Sequence, residues 1–138
     1  MEEKPSDRII DQRIRNRIMD AVRTLADGDV GVRREWPDEY FESFYDWISD
    51  GSAMRPNSAV TSDERTMLAE LSLLLDQACK ATPKVMTADE FIATGWPSRI
   101  QPAARQALTL LLYRGRFIED EEQAEPFSAI PWRCSKAT

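Results

Sequence analysis

The chain has 138 residues, 42% of them hydrophobic and 30% charged, with a net charge of −6, which describes one folded domain able to bury its own core. It has no histidine and only two cysteines, so Ser-His and Cys-His nucleophile pairs, His-ligated zinc and CxxC metal pairs are excluded. The acidity is local: residues 27–64 carry ten acids and three bases, while the segments on either side are close to balanced.

The N-terminus, MEEKPSDR, lacks the layout of a signal peptide, and no apolar run approaches a membrane span, so a cytoplasmic protein is expected. The first helix is expected from about Asp7 to Ala26, with Ser6 as its cap. Ile10, Ile14, Ile18, Ala21, Val22 and Leu25 recur at three- and four-residue spacing and form one apolar stripe. Arg13 and Arg17 lie one turn apart, and Asp11 can reach Arg15 on a wetter flank; balanced charge favours a solvated face over a nucleic-acid helix.

Asp27 to Arg34 is expected to be a connector, because Asp-Gly-Asp favours a turn. The segment EWPDEYFESFYDWISDG, residues 35–51, holds six of the twelve aromatics and six carboxylates, with no Lys or Arg. Pro37 suits the first position of a second helix, and Asp38 and Glu39 suit its first turn. On a helical wheel Tyr40, Phe41, Phe44, Tyr45, Trp47 and Ile48 share one arc, and Glu39, Glu42 and Asp46 share the opposite one. Residues 52–61 read as a polar, mobile loop.

Thr61 and Glu64 form a capping box ahead of a third helix. Met67, Leu68, Leu71, Leu74, Leu75 and Ala78 make its buried stripe, Leu73 widens it, and Cys79 reads as a small buried residue. That breadth predicts a central helix, ending before Pro83. A second capping box, Thr87 to Glu90, starts a short helix to about Thr94 that buries Phe91 and Ile92. Trp96-Pro97 is expected to break it, and Pro102 to open the last helix through Arg114, with Ala104, Ala107, Leu108, Leu111 and Leu112 inward. Gly28, Gly51, Gly95 and Gly115 read as helix stops.

The expected fold is all-α: a single compact bundle-like domain of four to five helices over residues 1–122, with residues 123–138 an extended tail packed on it through Phe127, Ile130 and Trp132. No Walker loop or GxGxxG is present, and the scattered glycines cannot build a phosphate cradle. Glu119 to Glu122 read as a solvated charge run, and Glu39, Glu42 and Asp46 lack the Glu-x-x-His partners of a bundle metal site.

The expectation is therefore a non-enzymatic protein with no catalytic, metal or cofactor-binding residues. Its partner-binding residues are Glu39, Glu42, Asp46 and Asp50, and its partner is a basic protein rather than a nucleic acid or a membrane. The opening DRIIDQRIRNRIMDAV is similar to that of small uncharacterised bacterial helical proteins. By size, charge and missing chemistry the chain resembles immunity proteins, which implies an inhibitor of a basic toxin. A second alternative is a small-molecule binder with Trp36, Tyr40, Trp47 and Trp96 lining a pocket between helices. A transcriptional regulator comes third, because Arg99, Arg105 and Gln106 make a thin recognition set.

Overall fold

The computed structural model describes residues 4–48 and 54–126. Among these the fold is all-α, with six helices: α1 (Asp7–Ala26), α2 (Asp29–Glu35), α3 (Glu39–Tyr45), α4 (Ser62–Ala81), α5 (Ala88–Ala93) and α6 (Trp96–Arg114). No described helix is long and apolar enough to cross a membrane. The tail anchors Phe127, Ile130 and Trp132 lie outside the described residues, as do Asp50, Gly51 and Cys134.

Helix α1 begins where Ser6 Oγ accepts from the Ile9 amide. Its stripe, Ile14, Ile18, Ala21, Val22 and Leu25, is buried against α6, α3 and α2. The opposite flank departs from expectation, because Asp11, Gln12, Arg15 and Asn16 are also buried. Arg15 pairs with Glu64 rather than Asp11. The cause is tertiary: residues 57–60 and 115–124 lie across this flank, and their backbone groups take its side chains as partners. Helix α1 is therefore buried on both flanks, and it is α6 that packs on α1, α2, α4 and α5. The loop expected at 52–61 is tied down in its described part, with Asn57, Ala59 and Val60 buried.

The expected connector contains α2. Gly28, at φ 61°, turns the chain after α1. Gly31 then lies so close to α1 that a Cβ there would run into the Thr24 carbonyl oxygen. Helix α3 is shorter than the pattern suggested, and Pro37 precedes it instead of opening it, since Trp36 is already extended.

Both capping boxes form with both of their hydrogen bonds. Helix α4 packs chiefly on α6 along Leu68, Leu71, Leu75 and Ala78. One-sided packing corrects two expectations: Leu73 is 50% exposed and Cys79 is exposed. In α5 Phe91 is buried, while Ile92 is only partly covered. Gly95, at φ 85°, separates α5 from α6, which starts at Trp96, so Pro97 lies in its first turn and Pro102 inside it. The Thr94 hydroxyl accepts from the Trp96 amide, replacing a partner that the helix start lacks. Ala104, Ala107 and Leu111 face inward, Leu108 partly so, but Leu112 reaches the surface.

Candidate binding surface and the polar hub behind it

The acidic helix α3 is held by its aromatic face. Tyr40, Phe44 and Ile48 are buried. Trp36 stacks on Phe91 at 4.7 Å between ring centroids, and Tyr40 meets Phe91 edge-on at 5.6 Å. Aromatic packing therefore anchors α3 and turns its carboxylates outward. The Tyr40 hydroxyl is buried with no hydrogen-bond partner among the described residues, and burial holds it well above its ordinary pKa.

Glu39, Glu42 and Asp46 are all exposed, but they do not form one patch. Glu39, Ser43 and Asp46 line a groove of about 340 Å³ between α3 and α1, shared with Arg17, Asp20, Glu35 and Trp47. Glu42, with Asp38, lines a larger groove of about 700 Å³ on the other side, against the α4–α5 connector. Helical phasing makes this split, since positions 39, 43 and 46 lie on one flank and 38, 42 and 45 on the other. Among the described residues no Lys or Arg pairs with Asp38, Glu39, Glu42 or Asp46.

The four residues of the aromatic-pocket alternative do not converge. Trp36 and Tyr40 touch, at 6.3 Å between centroids, but Tyr40 is fully buried. Trp47 lines the groove beside α1, and Trp96 carries the Arg99 guanidinium on its ring at 4.1 Å. Among the described residues no group of three or more His, Cys, Asp or Glu side chains is placed to hold a metal ion.

Sequence reasoning missed the charged centre of the molecule. Glu64, 1% exposed, accepts from Arg15 Nη2 at 2.7 Å, from Arg114 Nη1 at 2.9 Å and from the Thr61 amide at 3.0 Å. Arg15, 0% exposed, also donates to the carbonyl of Leu111, which already accepts from the Gly115 amide, and to that of Gly115 itself, just past the end of α6. One carboxylate thus joins the start of α4 to α1 and to the end of α6. Burial alone would raise the Glu64 pKa, yet hydrogen bonds from Arg15, Thr61 and Arg114 hold it below the usual carboxylate range. Burial also pushes Arg15 down, against the opposing pull of Glu64.

Beyond the hub, α1 grips the segment after α6. Asn16 donates to the Phe117 carbonyl at 2.8 Å and accepts from the Phe117 amide at 3.1 Å, as a neighbouring strand would. Gln12 donates to the carbonyls of Ile118 and Glu121, and Arg8 to those of Gln123 and Ala124. Glu119, expected in a solvated run, pairs with Arg17 at 3.1 Å. Its pKa is lowered by the Asn16 hydrogen bond and then by Arg17. A sequence signal existed: Asp11, Gln12, Arg15 and Asn16 repeat at the same helical spacing as the isoleucines. Comparison with known proteins assigns no relative to this arrangement: no protein-family model, curated protein or solved structure matches the chain.

Proposed function

We propose that this is a non-enzymatic module that binds a basic protein through the acidic surface of α3. The observation that carries this reading is the division of charge within residues 27–64. Glu64 is neutralised internally by Arg15 and Arg114, and Asp27 and Glu35 are met by Arg34. Asp38, Glu39, Glu42 and Asp46 have no such partner among the described residues and stand in solvent. Four uncompensated carboxylates on and beside one short helix make a field that speeds encounter with a basic surface and selects against acidic ones.

An immunity-type inhibitor of a basic toxin is the most specific form of this reading, supported by the chain's size, its acidity and its lack of histidine. The test is affinity capture from the source cells with the wild-type chain and with Glu39→Lys/Glu42→Lys/Asp46→Lys, at low and raised salt. Basic proteins retained by the wild type, released by salt and absent from the triple variant are expected. Capture that is indifferent both to the three reversals and to salt would sink the proposal.

A further inference from the structure

The larger groove beside α3 is walled largely by apolar side chains. Phe41 and Tyr45, one turn apart, stack at 6.4 Å with an interplanar angle of 11° and form one wall. Trp36 Nε1 donates to the Met86 carbonyl at 2.9 Å, which fixes the α4–α5 connector opposite that wall. The Tyr45 hydroxyl is itself engaged, donating to Asp76 at 3.0 Å, so it offers ring surface rather than a free polar group. Pro83, Val85 and Met86 supply the facing apolar surface, and Val85 is 90% exposed although it is a β-branched hydrophobe. The space of about 700 Å³ lies in the range of ligand-binding clefts and exceeds a single side chain, so it has room for an apolar residue with its neighbours.

Charge is distributed unequally around this groove. The α3 rim carries Asp38 and Glu42, both without an ion pair among the described residues, and the connector rim carries Lys84. A nucleic acid would meet two carboxylates, and a neutral small molecule would leave them unused. A segment with a large apolar side chain flanked by Lys or Arg satisfies both the floor and the α3 rim. We infer that this groove, formed by Trp36, Phe41, Tyr45, Val85 and Met86, receives an apolar anchor residue of a basic protein partner, while Asp38 and Glu42 engage the flanking Lys or Arg side chains. This rests on the acidic-surface reading above and adds the feature that would set specificity.

The test uses the full chain and two fluorescein-labelled twelve-residue peptides, each with four lysines, one with a central Leu-Phe pair and one with Ser-Ser in its place. Anisotropy should show both binding at low salt, with the Leu-Phe peptide about tenfold tighter, which is about 1.4 kcal/mol. Val85→Ser, at a site too exposed to disturb folding, should remove most of that preference and leave the Ser-Ser peptide unchanged. Glu42→Lys should weaken both peptides. Equal affinity of the two peptides would overturn the groove assignment and leave the acidic-surface reading standing. No binding of either peptide at low salt would overturn both. The assignment also fails if the Leu-Phe preference persists in Val85→Ser while Thr109 and Tyr113 shift by NMR, which would place the anchor in a separate groove between α4 and α6, lined by Met67, Thr109, Leu110 and Tyr113. Sedimentation as a dimer, with the Val85 methyl signals moving on dilution, would likewise overturn it and make a second copy the occupant.

Discussion

Replacing Glu64 by Gln is the sharpest perturbation of this fold, because the side chain is isosteric and only its charge and one acceptor change. The buried hub then holds two guanidinium groups and no anion. Arg15 is 0% exposed and cannot swing to water, whereas Arg114 lies at the edge and also reaches Glu125 at 3.4 Å. Breaking a buried ion pair from one side costs about 3–5 kcal/mol. That is a large part of the roughly 5–15 kcal/mol that stabilises a domain of ordinary size. Arg15→Met should cost less, since Glu64 keeps Arg114 and the Thr61 amide. The double variant should lose less than the sum of the two, because the fully buried Arg15 charge is gone and Arg114, at the edge, keeps Glu125. Urea denaturation followed by tryptophan fluorescence measures all three. In wild type the Glu64 pKa lies below its unfolded value, so its stabilisation is complete above the ordinary carboxylate range and is lost as pH falls through the folded value. Glu64→Gln should flatten that acid limb, leaving the part due to Glu119, whose pKa is also lowered. A loss below about 1 kcal/mol in Glu64→Gln, with an unchanged acid limb, would refute the hub as a source of stability.

Three further substitutions test other parts of the structure. Gly31→Ala should destabilise by about 1–3 kcal/mol although alanine favours helix, because the obstacle is the Thr24 carbonyl, which is backbone and cannot rotate away; thermal unfolding by circular dichroism decides the sign. Tyr40→Phe should leave stability unchanged or raise it by about 1 kcal/mol, since the lost hydroxyl is buried without a partner among the described residues; a clear loss in urea denaturation would show that the hydroxyl is hydrogen-bonded. Asn16→Leu strands the Phe117 amide and carbonyl in the interior and should cost about 2–4 kcal/mol. Hydrogen exchange at the Phe117 amide should accelerate more than exchange in α4.

The parts of the fold legible in the sequence are those written in local grammar. Thr61-x-x-Glu64 and Thr87-x-x-Glu90 give both helix starts because a capping box is complete within four residues. The α1 stripe gives its full extent, since twenty residues contain enough turns to reveal a period. Helix α2 escapes the same reading: seven residues contain two turns, and its packing rests on Gly31 and Val32, too few to show periodicity. The polar flank of α1 is opaque for a different reason. Arg15 and Asn16 belong to residue types that are usually exposed, and their burial is decided by chain that arrives about a hundred residues later. Pro97 and Pro102 are each compatible with opening a helix, and the choice falls to Gly95, whose left-handed φ ends α5 just before Trp96. On α3 the outward placement of Glu39, Glu42 and Asp46 follows from amphipathic phasing, but their division between two grooves depends on α1 and on the 82–86 connector.

The two halves of the charge pattern have opposite physical roles. On α1 and at the start of α4, charged and amide side chains are buried and matched to specific carbonyls, amides and counter-charges, so removing one leaves another unsatisfied and the fold bears the cost. On α3 the carboxylates are solvated, unmatched among the described residues and carried by a helix whose hold on the core is wholly aromatic, so folding does not require them. Asp38, Glu39, Glu42 and Asp46, with no base among residues 35–51, raise self-repulsion without contributing to packing. A contribution to binding would offset that cost, and it predicts a separation that the two sets of variants can show. Reversal of Glu39, Glu42 and Asp46 should cost no more than the ~1 kcal/mol that acids contribute in the first turn of a helix while abolishing partner capture, whereas Arg15→Met should lower stability further and leave capture by the folded fraction intact. Loss of stability in the α3 reversals comparable to that of Arg15→Met would mean that the acidic surface belongs to the fold rather than to a partner.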